Sequence, residues 1–148
     1  MTDVNETTYL QPTQRSGAAL MRRGIDGPVV MLNLLRFRAK ADYSATPELA
    51  PEAPISGAEA FDLYIAHTLP FLRDSGGELT FVGEGGEYLI GPESERWDLA
   101  MLVRQNSIAA FMAFAENEAY LAGIGHRTAA IEDSRLLPLV ERALPSKP

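Results

Sequence analysis

The stretch Val29–Phe37 is apolar on both sides of an extended chain: Val29, Met31, Leu35 and Phe37 on one, Val30, Leu32 and Leu34 on the other. β-Branched and large apolar side chains mark it as a strand, and Gly27-Pro28 breaks the chain just ahead of it. A strand that is apolar on one side can leave its other side to water. One that is apolar on both needs cover on both. The fold must therefore bury this strand in a sheet that is packed on each face. The chain's 148 residues suit one domain and can bury a core unaided, and the lack of Cys excludes disulfides, thiolate metal sites and a thiol nucleophile.

Around that strand the other elements fall into order. Thr13–Arg23, with Ala18, Ala19, Leu20 and Met21, reads as a short helix stopped by Gly24. Ala39–Ile55 carries three Pro and reads as a loop. Ser56-Gly57-Ala58-Glu59 is a capping box, in which the Ser hydroxyl and the Glu carboxylate satisfy amide groups left free at a helix start. Phe61, Ile65, Thr68, Leu69 and Leu72 then share one helical stripe, Pro70 is expected to kink the last turn, and Gly76-Gly77 ends the helix. Glu78–Val82 and Glu87–Ile90 read as one strand with a bulge at Gly85-Gly86, joined through the turn Gly91–Ser94 to a strand at Trp97–Val103. Ser107 caps a helix bearing Ile108, Phe111, Met112 and Ala115. Helical character resumes from Asn117 to Ile131, interrupted near Gly123 and Gly125, and Ser134–Val140 is the last strand.

Strand, helix, strand, strand, helix, strand is the ferredoxin-like βαββαβ pattern: a four-stranded antiparallel α+β sheet with its helices on one face. Residues 28–141 form this domain, between an N-terminal arm with a short helix (1–27) and a C-terminal tail (142–148). Helices on one face leave the second face of the two-sided strand bare. A second copy of the chain is the expected cover, closing a dimeric α+β barrel across an interface of at least ~1,200 Å².

Composition narrows the partners. The net charge is 13 − 20 = −7 and no basic run exceeds Arg22-Arg23, which argues against a nucleic-acid partner held through phosphates. Met1–Arg15 has no apolar core of a signal peptide, and Pro28–Leu35 falls far short of the ~20 residues that span a bilayer. A cytoplasmic protein without a membrane partner is expected.

Few residues could carry chemistry. Of the two histidines, His126 is the candidate general base or ligand donor, with a helix-to-carbonyl bond as the plain alternative; His67, on a helix flank, reads as structural. Neither histidine stands in a metal-ligand spacing, so no metal is expected. Asn33 is an amide within an apolar strand; it either bridges backbone groups or points into a cavity. Arg36, on the opposite side, is expected to pair with an acidic loop. Trp97 could stack on an aromatic ligand or pack in a core, and Tyr64 could offer its hydroxyl to a pocket. Asp98 and Arg104 share a strand side and each needs a cross-strand partner. The glycines at 83–86 and 123–125 do not sit between a strand and a long helix, so they form no nucleotide loop, and no nucleophile-elbow serine is present.

Several short motifs together carry a family likeness. They are Met31–Phe37, Ser56-Gly57 before a helix bearing Tyr64, Ile90-Gly91-Pro92, Trp97-Asp98, Ser107 with Phe111, and Tyr120 ahead of His126-Arg127-Thr128-Ala129-Ala130. From Pro28 to Leu137 the chain resembles the domain-of-unknown-function family thirteen-thirty, of the dimeric α+β barrel superfamily. The resemblance implies two sheets meeting in a homodimer and supplies no reaction; superfamily relatives include cofactor-free monooxygenases, haem-degrading enzymes and isomerases. It leads to an expected pocket between sheet and helices, lined by Asn33, Tyr64, Trp97 and His126, that binds a small metabolite without a cofactor. The alternative is a metal-free enzyme, with His126 as base and Asn33 or Arg104 holding an oxyanion, acting on a small aromatic or carbonyl compound. A third reading is haem binding at His126.

Overall fold

A computed structural model describes residues 7–146; Met1–Glu6 and Lys147–Pro148, the outer ends of the expected arm and tail, lie outside the described residues. The elements are α1 (Gln14–Arg22), β1 (Val29–Phe37), α2 (Gly57–Asp74), β2 (Glu78–Glu87), β3 (Arg96–Gln105), α3 (Ile108–Ala115), α4 (Glu118–Leu121), α5 (Ile124–Ala130) and β4 (Ile131–Leu139). The strands form one four-stranded antiparallel sheet in the order β2-β3-β1-β4. This is the ferredoxin-like α+β fold.

Local chemistry accounts for α2. Ser56 and Glu59 make the reciprocal capping bonds, Oγ accepting from the Glu59 amide at 3.0 Å and the carboxylate accepting from the Ser56 amide at 2.9 Å. Phe61, Tyr64, Thr68 and Leu72 are buried in sequence along one stripe. The helix runs through Pro70 to Asp74; Ala66, whose carbonyl loses its helical partner to that proline, is exposed to water. At its end Gly76 takes φ +84°, and the amides of Gly76 and Gly77 donate to Arg73 and Leu72, a Schellman closure.

Opposed residues in an antiparallel ladder share a side. Leu35 of β1, Met101 of β3 and Ile131 of β4 pack with Phe61 and Tyr64 of α2 in the main core, so the odd positions of β1 face the helices. Its even positions, Val30, Leu32 and Leu34, lie on the second face beside Leu102, Ala100, Leu137 and Leu139. Both expected apolar sides of β1 are real, but only one is covered by helices.

One end of the second face is closed by the chain itself. Although β1 lies between β3 and β4, the Arg135 guanidinium of β4 sits 4.9 Å from the Trp97 ring and 3.9 Å from Glu95, both at the β3 end of the hairpin. The hairpin's far end therefore curls over the sheet. The same guanidinium lies over the ring of Tyr9 in the arm, at 4.8 Å, and the Tyr9 backbone bonds Asp133 and Ser134 of the edge strand. Between these elements Arg36 pairs with Glu132 at 2.8 Å and Asp133 at 3.9 Å.

Three local expectations need correction. Arg36 meets the start of β4, not an acidic loop: a register shift after Arg36 leaves Glu132 unpaired in the ladder and turns it toward the guanidinium. The β2 bulge falls between Leu79 and Phe81, not at Gly85-Gly86, and Tyr88–Ile90 lie beyond the strand in the hairpin tip. The last strand begins at Ile131, three residues earlier than Ser134, because Ile131 pairs with Phe37.

Candidate functional site

The sequence Gly123-Ile124-Gly125-His126 builds the most chemically distinctive corner of the molecule. Gly123 and Gly125 are both buried. A methyl group at 123 would run into the His67 imidazole, and one at 125 into the Thr46 hydroxyl and Leu49. Glycine at both positions thus lets α5 settle against α2 and against the 39–55 loop, whose Pro47–Leu49 forms a 3-10 turn. That close approach delivers His126 to Tyr43.

The Tyr43 hydroxyl lies 2.7 Å from His126 Nδ1, with the two rings edge to face at 5.6 Å and 83°. Burial holds the imidazole below its ordinary value of 6.5, repulsion from His67 adds to this, and burial raises the Tyr43 phenol above its own. Both groups are therefore neutral near pH 7, joined by one hydrogen bond. When the imidazole proton is on Nδ1 and donates to the Tyr43 oxygen, Nε2 is a base toward a ligand; when the Tyr43 hydroxyl donates to Nδ1, the imidazole proton is on Nε2, which is then a donor. Nε2 has no hydrogen-bond partner among the described residues. Beside the pair, a depression of 280 Å³ opens in the 39–55 loop, walled by Tyr43, Lys40, Glu52, Pro54 and Ile55.

The other expected site residues are dispersed. Asn33 sits on the helix-facing side of β1 between Met101 and Leu136, and its Nδ2 donates to the Met31 carbonyl at 3.2 Å. Tyr64 is buried in the same layer, but its hydroxyl is engaged by Tyr120 at 2.7 Å; burial first, then Tyr64, pushes the Tyr120 hydroxyl far above its ordinary value. Trp97 is buried outside the main core, donating from Nε1 to the Tyr88 hydroxyl at 2.9 Å. Arg104 lies on the second face and donates to Asn106 at 2.9 Å, while Asp98 accepts from Arg96 and from the Phe37 amide across the strands. His67 Nε2 is held by the carbonyls of Ala119 and Tyr120. A second depression, of 350 Å³, lies between α2 and β2 and is walled by Leu69, Leu72, Arg73, Gly77 and Leu79. Neither depression is walled by Asn33, Tyr64, Trp97, Arg104 or His126.

Tyr43 is the residue that the sequence reading missed. It is the one aromatic side chain in the Pro-rich 39–55 loop, and that isolation is the signal available before the fold is known. Among the described residues no three His, Asp or Glu side chains gather closely enough to hold a metal ion. No helix among them is long and apolar enough to cross a membrane.

No family model and no curated protein matches the chain. Among solved structures it is similar to the RPA0582 protein of Rhodopseudomonas palustris, a protein of unknown function, at 34% identity over 96% of this chain and 100% of that one. The TM-score is 0.79 against the methylated form of that protein and 0.76 against a second crystal structure of it. At 16% identity it also shares its fold with a dimeric ferredoxin-like protein of unknown function from Jannaschia sp. CCS1, over 78% of this chain and 100% of that one, with a TM-score of 0.51. The glycines that seat α5, the capped helix α2 and the two-sided β1 thus belong to a chain that is a member of the RPA0582 family.

Proposed function

We propose that the protein is a homodimeric α+β barrel that binds a small metabolite against His126, and that it falls within the domain-of-unknown-function family thirteen-thirty. The assembly is supported by the apolar middle of the second face, where Leu137 is 53% and Phe81 54% exposed in the single chain. The dimeric Jannaschia protein of the same fold agrees with it. The binding function rests on one observation: a neutral, half-buried imidazole has its Nδ1 taken by Tyr43, its other nitrogen has no hydrogen-bond partner among the described residues, and that same Tyr43 walls a depression in the 39–55 loop. An ordinary structural histidine spends itself on a carbonyl, as His67 does.

A metal-free enzyme is the second reading, and the Tyr43–His126 hydrogen bond favours it. With Nδ1–H donating to the Tyr43 oxygen, Nε2 takes a proton from the ligand and the imidazolium so formed keeps its Nδ1–H on that oxygen. The test is a thermal-shift screen of small aromatic acids, aldehydes, phenols and quinones, repeated on His126→Gln and Tyr43→Phe. A compound that raises the melting temperature of the parent protein but not of His126→Gln is the expected result. Equal shifts in both proteins would place the ligand elsewhere and overturn the reading.

A further inference from the structure

Two parts of the chain are built as though something covered them, and nothing among the described residues does. The first is α1. It is fully capped, with Thr13 and Ser16 making a reciprocal box, and it is amphipathic, yet none of its residues is buried. A helix of nine residues is marginal in water without tertiary packing. A bond from Arg23, just past its end, to the Pro138 carbonyl on β4, at 2.8 Å, ties it to the body. Met21 stands 63% exposed, and Arg15, Arg22 and Arg23 are uncompensated by any acidic residue between Gln14 and Arg23.

The second part is the tip of the β2–β3 hairpin. Leu89 is 99% and Ile90 91% exposed, which places two adjacent large aliphatic side chains almost wholly in water. The flanking charge is opposite to that of α1: between residues 84 and 96 stand Glu84, Glu87, Glu93 and Glu95 against Arg96, a net −4 + 1 = −3.

We propose that each protomer's hairpin tip docks on the partner's α1, with Leu89 and Ile90 on the apolar side of that helix and Glu84, Glu87 and Glu93 toward its Arg15 and Arg22. The proposal rests on the homodimer reading above. Apolar match and charge complementarity both point to the same occupant, a second copy of this chain. Two-fold symmetry then makes the contact twice. It would cover the helix that the monomer leaves bare, and raised salt would weaken it.

Because the chain has no Cys, a designed pair is unambiguous. Met21→Cys and Leu89→Cys replace exposed side chains, so folding is spared. Under mild oxidation the double variant is expected to form a covalent dimer on a non-reducing gel, while each single variant stays monomeric there. If the double variant fails to cross-link, or the single variants cross-link equally well, while the parent protein still has dimer mass by light scattering, the docking is overturned and the homodimer stands. A parent protein of monomer mass removes both. As a second reading of the same contact, Leu89→Asp with Ile90→Asp is expected to raise the dimer Kd by ~10-fold or more; an unchanged Kd overturns the docking.

Discussion

On the helix side of the sheet Phe61 is 1% exposed, Leu35 1% and Ile131 0%, whereas on the opposite side Leu137 keeps 53% of its surface in water. The two sides carry side chains of the same kind, drawn in part from the same strand. They differ in how much of that surface the described residues cover. α2 packs on the first side, with Tyr120 of α4 and Ala130 of α5 in the same core; on the second, the curled hairpin and the arm close only the end around Arg36, Asp133 and Arg135. Apolar patterning on a strand therefore does not say which of its sides the protomer's own helices cover. The two helix N-termini teach the same lesson: α1 and α2 both carry reciprocal capping boxes, yet α2 buries a stripe and α1 buries nothing.

The comparison can be broken most sharply in the core. Phe61→Ala is expected to cost about 3–5 kcal/mol in denaturant unfolding, because it removes a ring packed between Phe37 and Tyr64. The matching truncation on the other side, Leu137→Ala, should leave the stability of the isolated protomer nearly unchanged and weaken its association. A large loss of protomer stability from Leu137→Ala, or a small one from Phe61→Ala, would erase the distinction between the faces.

Next in size is the closed end of the second face. Asp133 accepts from the Tyr9 amide, the Ser134 amide and Arg135, each within 3.0 Å. Asp133→Ala is expected to cost about 2 kcal/mol and to release the arm, read as faster amide exchange at Tyr9. Retained protection there would show that the arm is held by other contacts.

Smaller effects are expected at His126. Tyr43→Phe keeps the ring and removes one hydrogen bond, a loss of about 1 kcal/mol. In the native protein His126 should titrate below 6.5 by NMR. With its folded value lowered, the unfolded chain takes up the proton first. This contribution to stability is complete above about pH 6.5 and is lost as pH falls toward the folded value. Asp42 and Glu59, held low by bonds from Ser44 and Ser56, act in the same direction at more acid pH. A His126 midpoint at or above 6.5 would contradict its placement.

Much of the architecture was legible before the structure. The S-x-x-E box, the stripe from Phe61 to Leu72 and the Gly76-Gly77 stop are local rules, and α2 obeys all of them. Ferredoxin-like order followed from counting elements. The misplaced features were settled by register and long-range packing: nothing near Gly85-Gly86 reveals that the bulge lies at Thr80, and nothing near Arg36 reveals that an irregular rung brings Glu132 to it. His126 was legible as a residue type, but its partner was not. Tyr43 stands 83 residues away in sequence, and the two meet only because Gly125 leaves room for Thr46 and Leu49. Trp97, read as a possible stacking surface, is occupied by Arg135, a pairing that depends on a hairpin curling across an intervening strand.

The uncovered side of β1 is the surface on which the homodimer depends, and the mass of the unmodified protein in solution at micromolar concentration tests that assembly most directly. Multi-angle light scattering should give twice the chain mass, falling to a single chain mass in Leu32→Asp without loss of helix content. A single chain mass for the unmodified protein would contradict the account.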